Sequence, residues 1–457
     1  MATSGVVGGS TIDVNSLVSQ LVAAERKPLD DQLARAVQRN TTRISATSAL
    51  LGALSNFQAV LNGLKNTSVF SGRSTTSSNA DIVTATATAT AAPGRYDVEV
   101  ERLASAQQIT STAFAGGSST VVGSGTLTIS LGATSFSVGV ADPANTLADI
   151  RSLINSSPDN PGVSASIINA ADGAHLVLTS TKTGAANTIQ VTQAGTLSAL
   201  EYTDTNQANF TQLRPAQDAL VHVAGYATTS ETNSLSGVID GVTLNLASAE
   251  VGTTVSVEVG FDNAAAKDKI KSFVTAYNSL RGMMSRLGGY DAATKSAGPM
   301  LGDSILSSID SEIRRTLSTP VTDAGANVQT LASIGITTQK DGTLAIDDAK
   351  LDAALNGNFD GVARLFGANE TGVAARLHAQ ITDRLADGAA IDTRNKSLQD
   401  EQRALTKKKD DIDIRMQIVQ QTYLKQFTRL DTLLSSLSAT SAYLAQQIDS
   451  LPKWSRD

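Results

Sequence analysis

The stretch from Leu33 to Leu61, LARAVQRNTTRISATSALLGALSNFQAVL, sets Leu33, Val37, Asn40, Ile44, Thr47, Leu51, Leu54, Gln58 and Leu61 at alternating spacings of four and three. That spacing is a heptad seam on a long helix, with polar interruptions at Asn40, Thr47 and Gln58. At 1.5 Å per residue it predicts a rod of roughly 40 Å, more apolar length than one compact domain commonly needs. Upstream, Asp13 stands as a helix N-cap before Val14, Leu17, Val18, Leu21 and Val22, a one-faced apolar stripe. Pro28 is expected to interrupt or restart the helix, because a proline inside a helix removes a hydrogen bond.

The other end of the chain has the same grammar. Ile391, Leu398, Leu405, Ile412 and Val419 recur every seven residues with polar residues between them. Tyr423, Phe427, Leu430, Leu434, Leu437, Ser441, Leu444, Ile448 and Leu451 then form a fuller seam. The four-four-three step from Val419 to Leu430 reads as a stutter. Two apolar seams at opposite ends of one chain are expected to pack on each other or on identical neighbours.

Between the ends the grammar is that of strands. Thr84, Thr86, Thr88 and Thr90 alternate up to Pro93-Gly94, and Tyr96, Val98 and Val100 alternate with acids, which predicts a hairpin over 82–102. Leu127, Ile129 and Leu131 face Phe136, Val138 and Val140 across Gly132. A short helix is expected from Thr146, and a second hairpin turns at Asp172-Gly173. Strands continue through Leu220–Val223, Leu235–Ile239, Val242–Leu246 and Val255–Val259. Helices resume with Ile270, Phe273, Val274, Tyr277 and Leu280, then Ile305, Ile309, Ile313 and Leu317, with a small hairpin at Asp341-Gly342.

Composition narrows the function. The 457 residues are 41% hydrophobic but only 4% aromatic, and a net charge of −7 argues against a chain built to neutralise phosphates, so no nucleic acid partner is expected. Zero cysteines exclude disulfides and thiolate chemistry. No secretory signal is readable at Met1, and no run of 18 to 20 consecutive apolar residues occurs, so a soluble chain without membrane insertion is expected.

Nothing in the sequence assembles into an active site. His175, His222 and His378 lack metal-type spacing, and there is no nucleophile elbow or phosphate loop; Gly5, Gly8 and Gly9 follow no strand. The acidic pairs Asp30-Asp31, Asp347-Asp348 and Asp410-Asp411 fit helix starts or a solvated helical face better than converging acid–base catalysts. No enzyme, cofactor or metal is expected. Trp454 reads equally as a partner anchor or as a ring covering a helix end.

Several phrases resemble the flagellar filament-capping proteins (hook-associated protein 2, FliD). The opening Ile12-Asp13-Val14-Asn15-Ser16-Leu17-Val18-Ser19-Gln20-Leu21-Val22-Ala23-Ala24-Glu25, with Pro28-Leu29, is similar to that family's N-terminal signature through Asp13, Leu17, Leu21, Glu25 and Pro28; Thr11 departs from its usual glycine. Phe273-Val274-Thr275-Ala276-Tyr277-Asn278-Ser279-Leu280, Leu301-Gly302-Asp303-Ser304, Ile334-Gly335-Ile336, Asp341-Gly342-Thr343-Leu344 and Leu365-Phe366 resemble its C-terminal region. Asn145-Thr146-Leu147 through Ser180 is similar to a small module of flagellins and hook proteins.

The resemblance implies a multidomain α+β fold, with a helical, coiled-coil leg built from both termini and an inserted β-rich head of two subdomains. The expected parts are an N-terminal helical segment at 1–75, a discontinuous head domain at 76–108 and 215–261, and an inserted one at 109–214. A helical leg domain at 262–390 and a C-terminal coiled-coil helix at 391–457 complete them. The resemblance further implies export through the flagellar type III apparatus and a homo-oligomeric ring at the filament tip. Its partners would be flagellin, the hook-filament junction protein and a flagellar export chaperone. Leu33, Val37, Ile44, Leu51, Leu54 and Leu61 would form the assembly seam. The chaperone or partner helix would span 424–457 with Leu430, Leu434, Leu437, Leu444, Ile448 and Leu451 as anchors. A junction protein or flagellin, a surface adhesin and, least of all, a hydrolase are the competing readings.

Overall fold

The structure is a computed structural model and describes residues 13–450. In chain order it contains helix α1 (Val14–Asn62), then strands β1 (Arg73–Ser77), β2 (Val83–Ala87), β3 (Gly94–Arg102), β4 (Gln108–Ser111), β5 (Gly125–Leu131) and β6 (Thr134–Val140). Helix α2 (Leu147–Ser156) precedes β7 (Val163–Ala170), β8 (Gly173–Ser180), β9 (Ile189–Gly195), β10 (Phe210–Arg214), β11 (Ala219–Val223), β12 (Tyr226–Ser230), β13 (Ser234–Ile239), β14 (Val242–Leu246) and β15 (Thr254–Phe261). The chain closes with α3 (Asn263–Gly288), β16 (Tyr290–Asp291), β17 (Ser296–Ala297), α4 (Ser304–Ser318), β18 (Ile336–Thr338), β19 (Leu344–Ile346), α5 (Asp348–Gly357), α6 (Phe359–Gly367), α7 (Val373–Leu385) and α8 (Ala390–Asp449).

Two compact units result. One joins the chain up to Thr67 to the chain from Asp268 onward, and the other is Ser68–Lys267. The β-rich unit has two cores. In the first, the five-stranded sheet β1-β15-β3-β11-β12 and the three-stranded sheet β13-β14-β2 contribute Val83, Val98, Val100, Val221, Leu244 and Val257 to one apolar cluster. In the second, sheets β10-β4-β8-β7 and β6-β5-β9 enclose Leu127, Ile129, Ile150, Leu176, Leu178 and Val191 with α2. Thr146 and Asp149 close a capping box at the start of α2, which satisfies two otherwise unpaired backbone donors.

The hairpin expected over 82–102 does not form. β2 pairs with β14, and β3 pairs with β15 and β11, in the other sheet. The alternation itself is real, since Val83 and Val98 both point into the shared core. After β2 the chain turns at Thr88, whose backbone N–H donates to the Gly241 carbonyl at 2.8 Å, and crosses between sheets through Pro93. The hairpins at Gly132, Asp172-Gly173, Asp240-Gly241 and Asp341-Gly342 do form.

In the helical unit, Pro28 neither interrupts nor restarts α1, which runs unbroken for 49 residues. Pro28 lies on an exposed face, where the carbonyl left without a partner can turn to water. Asp30 and Asp31 are therefore inside a helix, not at a helix start, and pair with Arg26 and Lys27 one turn earlier. Among the described residues α1 is the one helix long and apolar enough to cross a membrane by length and composition. Its Leu50, Leu54, Phe57 and Leu61 are buried within the protein.

Four aromatic residues meet at that core. Phe273 on α3 stacks against Phe57 of α1 at 5.9 Å and meets Phe366 of α6 edge-on at 5.5 Å, while Tyr277 lies 6.2 Å from Phe57. Gly367 follows Phe366 because a β-carbon there would come within 2.6 Å of the Asn66 backbone. The Tyr277-Asn278 phrase acts as a clamp on the β18–β19 hairpin. The Tyr277 hydroxyl donates to the Gly342 carbonyl at 2.9 Å. The Asn278 amide donates to the Leu344 carbonyl at 2.8 Å and accepts from its N–H at 2.7 Å. Asn278→Ala strands both Leu344 groups and is expected to destabilise the helical unit by about 1–3 kcal/mol in urea unfolding. A loss indistinguishable from zero would show that the clamp is not what holds the hairpin.

Candidate assembly surface on the terminal helices

Helices α1 and α8 run antiparallel against each other. Tyr423 donates to Glu25 at 3.2 Å, Arg26 reaches Asp413 at 2.5 Å, and the Asn40 amide donates to the Leu398 carbonyl at 3.0 Å and to Gln402 at 3.1 Å. Ascending numbers on α1 thus meet descending numbers on α8. Leu33, Ile412 and Met416 form the buried centre, with Val22, Leu29, Val37, Leu405 and Val419 packed around it. Of the two packing alternatives for the chain ends, intramolecular pairing is what this segment shows.

The N-terminal motif residues have distinct places. Asp13 caps α1 by accepting from the Ser16 N–H at 3.1 Å. Leu17 and Glu25 are half-buried, whereas Leu21 and Pro28 are exposed. Glu25 raises the Tyr423 phenol above its ordinary value through its negative charge and then through their hydrogen bond. Arg26 bridges Asp30 and Asp413 and is held more firmly protonated by both, Asp30 first.

Along the seam Leu33, Leu54 and Leu61 are buried, and Val37, Ile44 and Leu51 are half-buried. Beyond Thr47 Leu54 and Leu61 keep their expected places, while the positions between them fall one residue earlier than the spacing suggests, with Leu50 and Phe57 buried where Leu51 and Gln58 were expected to face inward. Gln58 instead donates to the Thr382 hydroxyl at 2.8 Å. Phe57 is drawn inward by the α3 aromatic rings, to which the α8 seam gives no clue. The intervening positions of the 391–419 repeat are also not uniformly polar, since Met416 is buried against Leu33. Asn40 is 1% exposed and tied across the pair, while its side-chain oxygen has no partner. A half-satisfied buried amide fixes register at a cost in stability.

The proposed anchor residues on α8 lie elsewhere than the pair. Leu430, Leu434, Leu437, Leu444 and Ile448 are all exposed, from 38% at Leu434 to 68% at Ile448, with Leu433 and Tyr443 beside them; Leu451 and Trp454 lie outside the described residues. From Leu430 to Ile448 this apolar stripe is about 27 Å long. The antiparallel register puts the first turn of α1 near residue 430, so α1 has no described residues to cover the stripe. Among the described residues the stripe is therefore left exposed to solvent.

Among the described residues the titratable groups at His222, Asp347 and Asp348 are paired or cap helices. Among the described residues no cluster of histidine and acidic side chains could hold a metal ion. His222 pairs with Glu101 at 3.0 Å, and His378 on α7 is held below its ordinary value by burial and then by Lys65. Asp347 caps α5, and Asp348 pairs with Lys271 at 2.9 Å. Asp303, in the Leu301-Gly302-Asp303-Ser304 phrase, caps α4 and pairs with Arg394 of α8 at 3.0 Å, which explains that phrase as a joint within the helical unit.

Terminal helices paired within the chain, an inserted β-rich unit and no assembled reaction site among the described residues are the build of a structural protein. Comparison with known proteins agrees. The family model described as flagellar hook-associated protein 2 N-terminus matches residues 10–107, its C-terminus counterpart matches 216–439, and the flagellin hook IN motif matches 126–182. The A-type flagellar hook-associated protein 2 of Pseudomonas aeruginosa is 34% identical over 99% of this chain and 99% of its own length. Flagellar hook-associated protein 2 of Escherichia coli K12 is 32% identical over 98% and 99%. A crystal structure of the E. coli flagellar cap protein FliD, domains D1-D2-D3, superposes with a TM-score of 0.60 at 32% identity, covering 78% of this chain and 99% of that one. The chain belongs to the flagellar hook-associated protein 2 (FliD) family, a structural family of flagellar cap proteins. Membership places it outside the cell, in the flagellum at the filament tip.

Proposed function

We propose that this chain caps the distal end of the flagellar filament as a homo-oligomeric ring, assists the folding and insertion of exported flagellin, and prevents its leakage. The observation that carries the proposal is the open apolar stripe from Leu430 to Ile448 on a chain of the cap family. Before export the same stripe would be shielded by a flagellar export chaperone. At the tip it would close against neighbouring subunits, flagellin or, at the start of growth, the hook-filament junction protein. The α1–α8 pair supplies an adjustable joint. Its centre is three apolar side chains and an amide with one unsatisfied atom, which leaves the seam weak enough to rearrange as each subunit is added. The chain acts by positioning proteins, not by catalysis.

Deleting the gene tests this reading. The expected result is monomeric flagellin in the medium, intact hooks, and short or absent filaments. Normal filaments without leakage would overturn it.

A further inference from the structure

The second core of the β-rich unit carries an irregularity that the assembly role does not use. β4 pairs with β8 up to Thr110 opposite Val177, and pairing resumes at Phe114 opposite Ala174. Four steps on one strand match three on the other, so one residue is extra, as in a β-bulge. At the break, the Ser111 hydroxyl accepts from the Leu176 N–H at 2.8 Å, and the Ser111 carbonyl lies 2.8 Å from His175 Nδ1. The other ring nitrogen, Nε2, is 3.1 Å from the Asp172 carboxylate in the β7–β8 turn. Segment 111–115 thus lies across the start of β8 as a strap. It fits closely enough that a β-carbon on Gly173 would come within 2.6 Å of the Phe114 carbonyl.

We propose that His175 is a protonation-controlled latch that holds the 111–115 strap across the β7–β8 hairpin, closed when the ring is doubly protonated and loosened when it is neutral. Both ring nitrogens face acceptors that cannot donate: a backbone carbonyl and a carboxylate. Only the imidazolium donates to both. A neutral ring must turn a lone pair toward one of them.

The surroundings offer no competing charge. Residues 103–141, which include β4 and the strap, contain no Asp, Glu, Lys or Arg, and β7 and the rest of β8 contain none either. Arg214 on β10, the other neighbour of β4, is engaged with the Ala106 carbonyl. Among the described residues Asp172 is therefore the charged group that acts on the ring. The ring's pKa is raised above the ordinary 6.5, first by the Ser111 carbonyl and then by Asp172, while the Asp172 carboxyl is held below the ordinary 3.8 by His175.

The signs follow from these directions. Stabilisation from His175 is complete below its unfolded value and is lost as pH rises through its folded value. That from Asp172 is complete above its unfolded value and is lost as pH falls through its folded value. The latch is fully closed between about pH 4 and 6.5 and slackens above that window. On the outside of the cell this is the pH of the surrounding medium.

The test uses the full-length chain and hydrogen exchange read by mass spectrometry. Exchange at the histidine C2 position measures the His175 titration. Amide exchange of peptides covering 110–118 and 173–177, corrected for intrinsic pH dependence, measures strap opening. The latch predicts a His175 titration above that of free histidine, and strap exchange at least about threefold faster near pH 8.5 than near pH 5.5. It also predicts that Asp172→Asn, which keeps the turn and its shape, lowers the His175 titration and reduces the pH dependence. His175→Gln should leave strap exchange independent of pH. A His175 titration at or below that of free histidine, or strap exchange in the unaltered chain that ignores pH, overturns the proposal without reference to either variant's folding.

Discussion

Phe273→Ala is expected to remove about 3–5 kcal/mol from the stability of the helical unit, the range for deleting a fully buried aromatic ring. Phe273 is 0% exposed and stands between Phe57 and Phe366, so its loss leaves a cavity bounded by rings on two other helices. Those helices, α1 and α6, cannot both close on the space. α1 already has Leu54 and Leu61 buried one turn to either side of Phe57, and Gly367 already brings α6 against the Asn66 backbone. Phe273→Leu keeps most of the volume and should cost much less. Urea unfolding followed by helical circular dichroism measures both. The chain has two compact units, so the helical transition must be resolved from that of the β-rich unit before a free energy is taken. A loss below about 1 kcal/mol for Phe273→Ala would contradict a core centred on this ring.

The double substitution Leu434→Asp, Leu437→Asp is expected to have the opposite profile: no measurable loss of stability and loss of filament growth. Both side chains are exposed, at 38% and 56%, and surface changes of this kind usually stay within about 0.5 kcal/mol. If the stripe closes against a partner, two carboxylates would have to enter an apolar interface, at a cost of several kcal/mol each without compensating cations. Ala439→Asp, well round the helix from that stripe, is the control for added charge. Filament length by electron microscopy in a complemented deletion strain reads the result. Normal filaments with the double variant would show that the stripe is not the surface used.

What the sequence made legible is what depends on periodicity. The long terminal helices, the start of α2 at Thr146 and the Asp-Gly turns are local patterns, and the structure carries them where the residues put them. What depended on a distant partner was not legible. Leu50-Leu51 allows two seam registers, and only the Phe273 and Tyr277 rings opposite Phe57 decide between them. The Thr and Val alternations on either side of Pro93-Gly94 mark two strands, but nothing local says that they belong to opposite sheets. Pro28 looked like a helix break because a missing hydrogen bond is costly inside a protein. On an exposed face water can take the freed carbonyl. The α8 stripe was readable as apolar residues at seam spacing. Its exposure could be found only once the antiparallel register with α1 was known.

Immunogold labelling of isolated filaments, with an antibody to the β-rich unit, tests the capping role most directly. The account predicts gold at one distal end of each filament and nowhere else. Label along the filament length, as for a flagellin, or confined to the hook end, as for a junction protein, would contradict it.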